Sequence, residues 1–124
     1  MMQTVLVVDD SATVRTQASR ALAEAGYDVL EAVDGLDGLE KLESHKNIVL
    51  VVCDVNMPRM NGVELVEALA RRAVKMPPVI MLTTEGHPQL IQRAKASGAK
   101  GWMIKPFKAE LLIAAAKKVI AAAA

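Results

Sequence analysis

The chain has 124 residues, 52% of them apolar, 2% aromatic and 23% charged, with a formal net charge of +1. That length suits one domain over residues 1–124 with a single core, and that composition excludes a disordered or low-complexity chain. No apolar run approaches the roughly 18 residues of a membrane span, the N-terminus MMQTVLVVDD has no basic stretch of the kind that opens a signal peptide, and the single Cys53 cannot form an internal disulfide.

A cytoplasmic protein without membrane insertion is therefore expected. The small net charge hides a polarity. Residues 1–67 hold 12 acids against 5 bases, a balance of −7, and residues 68–124 hold 10 bases against 2 acids, a balance of +8. Such a division suits a solvated surface or a basic face that meets an acidic partner. Direct nucleic-acid binding is not expected, because the bases are dispersed and aromatic stacking platforms are scarce.

Strands and helices alternate along the chain. Val5 to Val8 reads as a first strand. Ser11 can cap a helix from Ala12 to Ala25, which Gly26 stops. A second strand lies near Val29 to Glu31. After the turn Asp34-Gly35 a second helix runs from Leu36 to Ser44. Ile48 to Cys53 is an uninterrupted, largely β-branched apolar run that ends on Asp54, the pattern of a central parallel strand buried on both faces. A third helix follows Asn61-Gly62 and extends to about Ala73. Pro77-Pro78 precedes a fourth strand, Val79 to Leu82. A fourth helix opens at Pro88, a good first-turn residue, and closes at Gly98. Gly101 to Ile104 is a fifth strand, and a last helix runs from about Lys108 into an alanine tail whose end, Ala121 to Ala124, is expected to fray. Five such units predict an α/β, doubly wound, five-stranded parallel sheet with helices on both faces.

In that topology the residues that follow strands one, three, four and five share one sheet edge, where ligands bind in open α/β folds. They are Asp9 and Asp10, Asp54, Thr83 and Thr84, and Lys105. Clustered carboxylates repel unless a cation intervenes. Oxygen donors without His or Cys suit Mg²⁺, or Mn²⁺, rather than zinc. A lysine and a hydroxyl opposite a metal are how proteins hold a phosphoryl group. The residues alone thus predict a Mg²⁺-phosphoryl site with Asp54 as nucleophile. Cys53, next to Asp54, is read as a small core hydrophobe, and His45 and His87 as surface residues.

The chain resembles the response-regulator receiver domain over essentially its whole length, most closely the single-domain chemotaxis receivers. The resemblance rests on VVDDS at 7–11, DVNMPRMNG at 54–62, MLTTE at 81–85 and GAKGWMIKPF at 98–107. It implies a flavodoxin-like sheet of order 2-1-3-4-5 and a two-component signalling protein rather than an enzyme. Asp54 would accept a phosphoryl group from a histidine kinase. Asp9, Asp10, Asp54 and the backbone carbonyl of Asn56 would hold Mg²⁺. Lys105 and Thr83 would bind the phosphoryl oxygens, Thr83 and Trp102 would form the switch, and the Lys105-Pro106 bond would be cis. Met57, Pro58 and Gly62 would shape the loop after the site. Asn56 and Glu85 flank the site as in the chemotaxis receivers and imply a short-lived phosphoaspartate. The expected target is a protein such as a flagellar switch component, met by a monomer, with Lys100 and Lys108 as a basic rim beside Trp102.

The sequence departs from the family pattern twice. Trp102 replaces the usual Tyr or Phe, and Thr84 replaces a smaller residue beside the switch threonine. Other classes fit less well. A dinucleotide or nucleotide site lacks its glycine-rich loop. A Mg²⁺-dependent aspartyl phosphatase would place a general acid where Asn56 stands. A receiver that has lost phosphorylation would not keep the full acid, threonine and lysine set. A receiver segment of a longer regulator or hybrid kinase stays open.

Overall fold

The computed structural model describes residues 3–72, 76–84 and 88–123. Five strands and five helices alternate: β1 (Thr4–Val8), α1 (Ala12–Glu24), β2 (Asp28–Ala32), α2 (Gly35–Ser44), β3 (Ile48–Asp54), α3 (Gly62–Ala70), β4 (Val79–Thr83), α4 (Pro88–Ala96), β5 (Gly101–Ile104) and α5 (Ala109–Ala123). All strand pairs are parallel, in the order β2-β1-β3-β4-β5. This is the doubly wound, flavodoxin-like sheet expected from the sequence.

The centre of the sheet is buried on both faces because β1, β3 and β4 are apolar except at their ends, Thr4, Asp54 and Thr83. β1 and β4 are fully buried, and β3 is buried except at Val49. On one face Val5, Val7, Leu50, Val52, Ile80 and Leu82 meet Ala18 and Leu22 of α1 and Leu112 and Ala116 of α5. On the other face Leu6, Val8, Val51, Cys53 and Met81 meet Val63, Leu65, Val66 and Leu69 of α3 and Ala94 of α4, with Leu39 and Leu42 of α2 alongside. The alternation along each strand sends odd and even residues to opposite layers.

Helix ends follow local chemistry. The Ser11 hydroxyl accepts from Val14 N–H at 3.3 Å, and Gly26 adopts φ +100° after the α1 C-cap. Asn61 and Glu64 form a reciprocal capping box at α3. Most element ends fall within one or two residues of expectation, and two helix ends differ by more. α3 ends at Ala70 rather than near Ala73, which lies outside the described residues. Arg72 N–H turns back to the Leu69 carbonyl at 3.1 Å, and its guanidinium pairs with Glu43 of α2 at 2.6 Å. α5 does not fray at Ala121 but stays helical through Ala123. Alanine is the strongest helix former, and Val119 and Ile120 pack this last stretch onto the core.

Strand register explains why the polar residues converge. Val8 pairs with Cys53, so Asp9 lies beside Asp54. Asp54 pairs with Leu82, which places Thr83 one residue past it. Thr83 pairs with Ile104, which brings Lys105 to the same edge.

Candidate functional site

Asp9 is fully buried at the end of β1. A carboxylate in that position is unfavourable unless each oxygen finds a partner. Its Oδ1 accepts the Ser11 N–H at 2.9 Å, and its Oδ2 accepts from Lys105 Nζ at 2.8 Å. The backbone is held as well: Asp9 N–H donates to the Ala32 carbonyl at 3.1 Å, and Arg15 Nη1 donates to the Asp9 carbonyl at 2.7 Å while its Nε faces Glu31 at 3.3 Å. Asp10, next in the chain, is exposed.

Asp54 is buried at the end of β3, with Oδ1 at 3.1 Å from Lys105 Nζ and at 3.4 Å from the Asn56 N–H that it accepts. Burial, and then the charge of Asp9, push its carboxyl above the usual range, and Lys105 only partly offsets them. For Lys105, burial alone would lower the pKa, but the two carboxylates outweigh it and hold the ammonium above its usual value. Cys53 is buried, and desolvation raises its thiol far above the ordinary range. It packs in the core on the α3 and α4 side of the sheet and offers no thiolate, as expected.

Asp9, Asp10 and Asp54 each present an oxygen within 4.8 Å of the others. Among the described residues, this cluster of three carboxylates is paired with one ammonium, that of Lys105, which leaves an excess of two negative charges, the charge of one divalent cation. Hard oxygen donors on a partly open rim fit Mg²⁺ or Mn²⁺. Thr83 is buried beside this cluster, and its carbonyl accepts the Lys105 N–H at 2.7 Å. The Lys105-Pro106 bond is cis. Asn56 and Thr84 are exposed at the rim. Glu85 and His87 lie outside the described residues. The structure thus brings together Asp9, Asp10, Asp54, Thr83 and Lys105, with Asn56 on the loop that leaves Asp54.

Trp102 stands on β5, half-buried, packed against the layer formed by α2, α3 and α4. Among the described residues Lys95 of α4 meets its ring, with Nζ 4.3 Å from the ring centroid; Lys100 and Lys108, expected as a basic rim beside Trp102, are exposed. Lys95 was not legible from the sequence as a partner, because the angle at which α4 returns to β5 sets the contact. Gly62, expected to shape the loop after the site, does so through its lack of a side chain. A Cβ there would collide with the Asp54 carbonyl, so α3 can start directly against the end of β3 only with glycine at that position.

An acid cluster on the carboxyl edge of a 2-1-3-4-5 sheet is the architecture of a two-component signalling receiver. The chain belongs to the response regulator receiver domain family, whose model matches residues 5–117. It is 40% identical over 109 residues to chemotaxis protein CheY1 of Helicobacter pylori, covering 86% of this chain and 88% of that one. It is 38% identical to a chemotaxis protein CheY homolog of Campylobacter jejuni, over 86% of this chain and 84% of that one. Among solved structures, chemotaxis protein CheY4 of Vibrio cholerae superimposes with a TM-score of 0.88 at 42% identity, over 96% of this chain and 99% of that one. The protein is a CheY-like receiver, a signalling module rather than a conventional enzyme.

Proposed function

We propose that this receiver is a phosphorylation switch whose acceptor is Asp54, loaded by a phosphohistidine of a histidine kinase. The observation that carries the reading is Lys105 Nζ held at 2.8 Å from Asp9 and 3.1 Å from Asp54 within a three-carboxylate cluster. An Asp54 oxygen attacks phosphorus, the phosphorus–nitrogen bond of the donor breaks, and the departing imidazole keeps the electron pair and takes a proton from solvent. Asp9, Asp10, Asp54 and the Asn56 carbonyl would hold Mg²⁺, which neutralises charge on the transferring oxygens when bound. Lys105 and Thr83 then hold the phosphoryl oxygens, and Lys105 exchanges its pairing with Asp54 for one with the new dianion. Thr83 and Trp102 relay that change to the surface around α4, β5 and α5. Exposed Asn56 leaves room for the water that later hydrolyses the acyl phosphate. The chain works as one receiver unit over residues 1–124, a cytoplasmic monomer. The similarity to chemotaxis proteins supports a motility context with a protein target such as a flagellar switch component.

Mass spectrometry after incubation with Mg²⁺ and a small phosphodonor tests this reading. One phosphoryl group should map to Asp54, and Asp54→Asn should take up none while remaining folded. Full labelling of Asp54→Asn at another residue would falsify the assignment.

A further inference from the structure

Outside the acid cluster, one pair of side chains stands out. Arg59 lies between β3 and α3 at φ +64°, the left-handed region, which an arginine enters only at a free-energy cost. Its Nε and Nη2 both lie 2.6 Å from Oδ2 of Asp34. The Asp34 side chain is 5% exposed, whereas that of Arg59 is 58% exposed. The other Asp34 oxygen caps α2, accepting the Asp37 N–H at 2.9 Å. One residue on, Gly35 N–H donates to the Met60 carbonyl at 2.9 Å, and a Cβ on Gly35 would collide with that carbonyl.

These contacts tie the β3–α3 loop to the β2–α2 turn. The loop's two ends already meet, because Gly62 N–H donates to the Val55 carbonyl at 3.0 Å. A loop closed at its base can still pivot, and what sets its angle is its far side. Here the far side is Arg59 and Met60, both fastened to the turn. Asn56 rides on the same loop. The strand leading into that turn also reaches the other acidic segment, because Asp9 N–H donates to the carbonyl of Ala32, the last residue of β2, at 3.1 Å.

We infer that Arg59 is a positioning residue: locked onto Asp34, it holds the β3–α3 loop at the angle that presents the Asn56 carbonyl to a divalent cation, and so sets Mg²⁺ affinity. The inference rests on the proposed metal site. It explains why a strained arginine is kept beside a buried carboxylate that α2 already uses as its cap. Groups that orient metal ligands typically change affinity by about 10–100-fold when removed. A smaller effect, about threefold to tenfold, is expected here because Mg²⁺ keeps several waters and uses few protein ligands.

The test is calorimetric titration of metal-free protein with MgCl₂, with melting temperatures recorded alongside. Arg59→Asn removes the guanidinium but tolerates the left-handed backbone, and Asp34→Asn removes the charge but keeps an amide oxygen to cap α2. Positioning requires both to weaken Mg²⁺ binding by a similar factor, about threefold to tenfold, with the double variant no worse than either. A through-space charge effect gives opposite signs: loss of the cation at 59 tightens Mg²⁺, and loss of the anion at 34 weakens it. Unchanged or tighter binding in Arg59→Asn, or multiplying factors in the double variant, overturns the inference. Arg59→Asn relieves the left-handed strain but leaves the Asp34 carboxylate without its cation, so binding is measured well below each variant's own melting temperature, where weaker binding cannot be ascribed to unfolding. Asp10→Ala separates the two readings. If it abolishes Mg²⁺ binding while Arg59→Asn does nothing, only the positioning role fails. If wild type binds no Mg²⁺, both fail.

Discussion

Strands β3 and β5 deliver Asp54 and Lys105, which meet at 3.1 Å, and they do so from opposite surroundings. β3 lies between β1 and β4 with both faces covered, and six of its seven residues are buried. β5 is an edge strand with no fully buried residue, and Ile104, just before Lys105, is 63% exposed. The central strand fixes its terminal carboxylate in space, and the same burial raises that group's pKa. The edge strand supplies its charge at the end of a long side chain that can follow a change in its partners. A fixed carboxylate facing an adjustable cation is the arrangement the proposed switch would use, because a phosphoryl charge on Asp54 would arise where nothing yields and be read where something does.

The largest effect should come from truncating the two strands. Leu50→Ala in β3 removes a fully buried side chain and should cost about 3 kcal/mol in urea unfolding. Met103→Ala in half-buried β5 should cost about 1 kcal/mol. Equal costs would remove the contrast between a fixed and a loose strand.

The metal gives a second way to break the comparison. Lys105 already occupies two of the acids that a cation would use. Lys105→Met should therefore tighten Mg²⁺ about threefold to tenfold in calorimetry, since an opposite charge is removed from between the carboxylates. Weaker binding would mean that the ammonium organises the acids rather than competing for them.

The pH dependence of stability follows from the same strand end. The folded chain holds the Asp54 proton above the ordinary value of 3.8. Between that value and the raised one, the folded state binds a proton that the unfolded state has released, so stability falls as pH rises through the window. With chelator present, Asp54→Asn should abolish that fall and be about 1 kcal/mol more stable at neutral pH. Lys105 acts in the other direction. Its raised pKa contributes stability that is complete below 10.5 and lost as pH climbs through the folded value. If urea midpoints of wild type and Asp54→Asn run parallel from pH 3 to 8, burial of the Asp54 carboxyl carries no cost.

The smallest effect concerns Trp102, which reports on the adjustable strand. Lys95→Gln removes the cation above the ring, a contact worth about 0.5–1 kcal/mol at an exposed site, and should shift Trp102 emission slightly. Beryllofluoride with Mg²⁺ should shift it further, and Thr83→Ala should blunt that response. Emission that stays constant with the mimic bound would make Trp102 fixed packing and move the switch elsewhere.

Most of the fold was legible because it rests on short-range rules. An apolar run of strand length, a serine ahead of a helix and a glycine after one report their conformation through local sterics and hydrogen bonding. Of the boundaries that moved, α3 stops where Arg72 turns to Glu43 of α2, a contact between segments distant in sequence, and α5 runs through Ala123 on alanine propensity together with the packing of Val119 and Ile120. For the site, residue types and their places after strands were enough to gather Asp9, Asp10, Asp54, Thr83 and Lys105, since parallel strands in one sheet bring all their carboxyl ends to one edge.

What the chain could not reveal on its own is which of these groups touch and what holds them still. That Lys105 bridges Asp9 and Asp54, that Lys95 meets the Trp102 ring, and that Arg59 reaches a buried Asp34 depend on strand register, the angle of α4 and the closure of the β3–α3 loop. Alternation of apolar residues and the preferences of Gly, Pro and Ser act over a few residues and were enough to determine a doubly wound sheet with acids along one edge. Ion pairing between residues 25 or 96 positions apart needs orientations that no local preference encodes, and only the packed tertiary structure decides them.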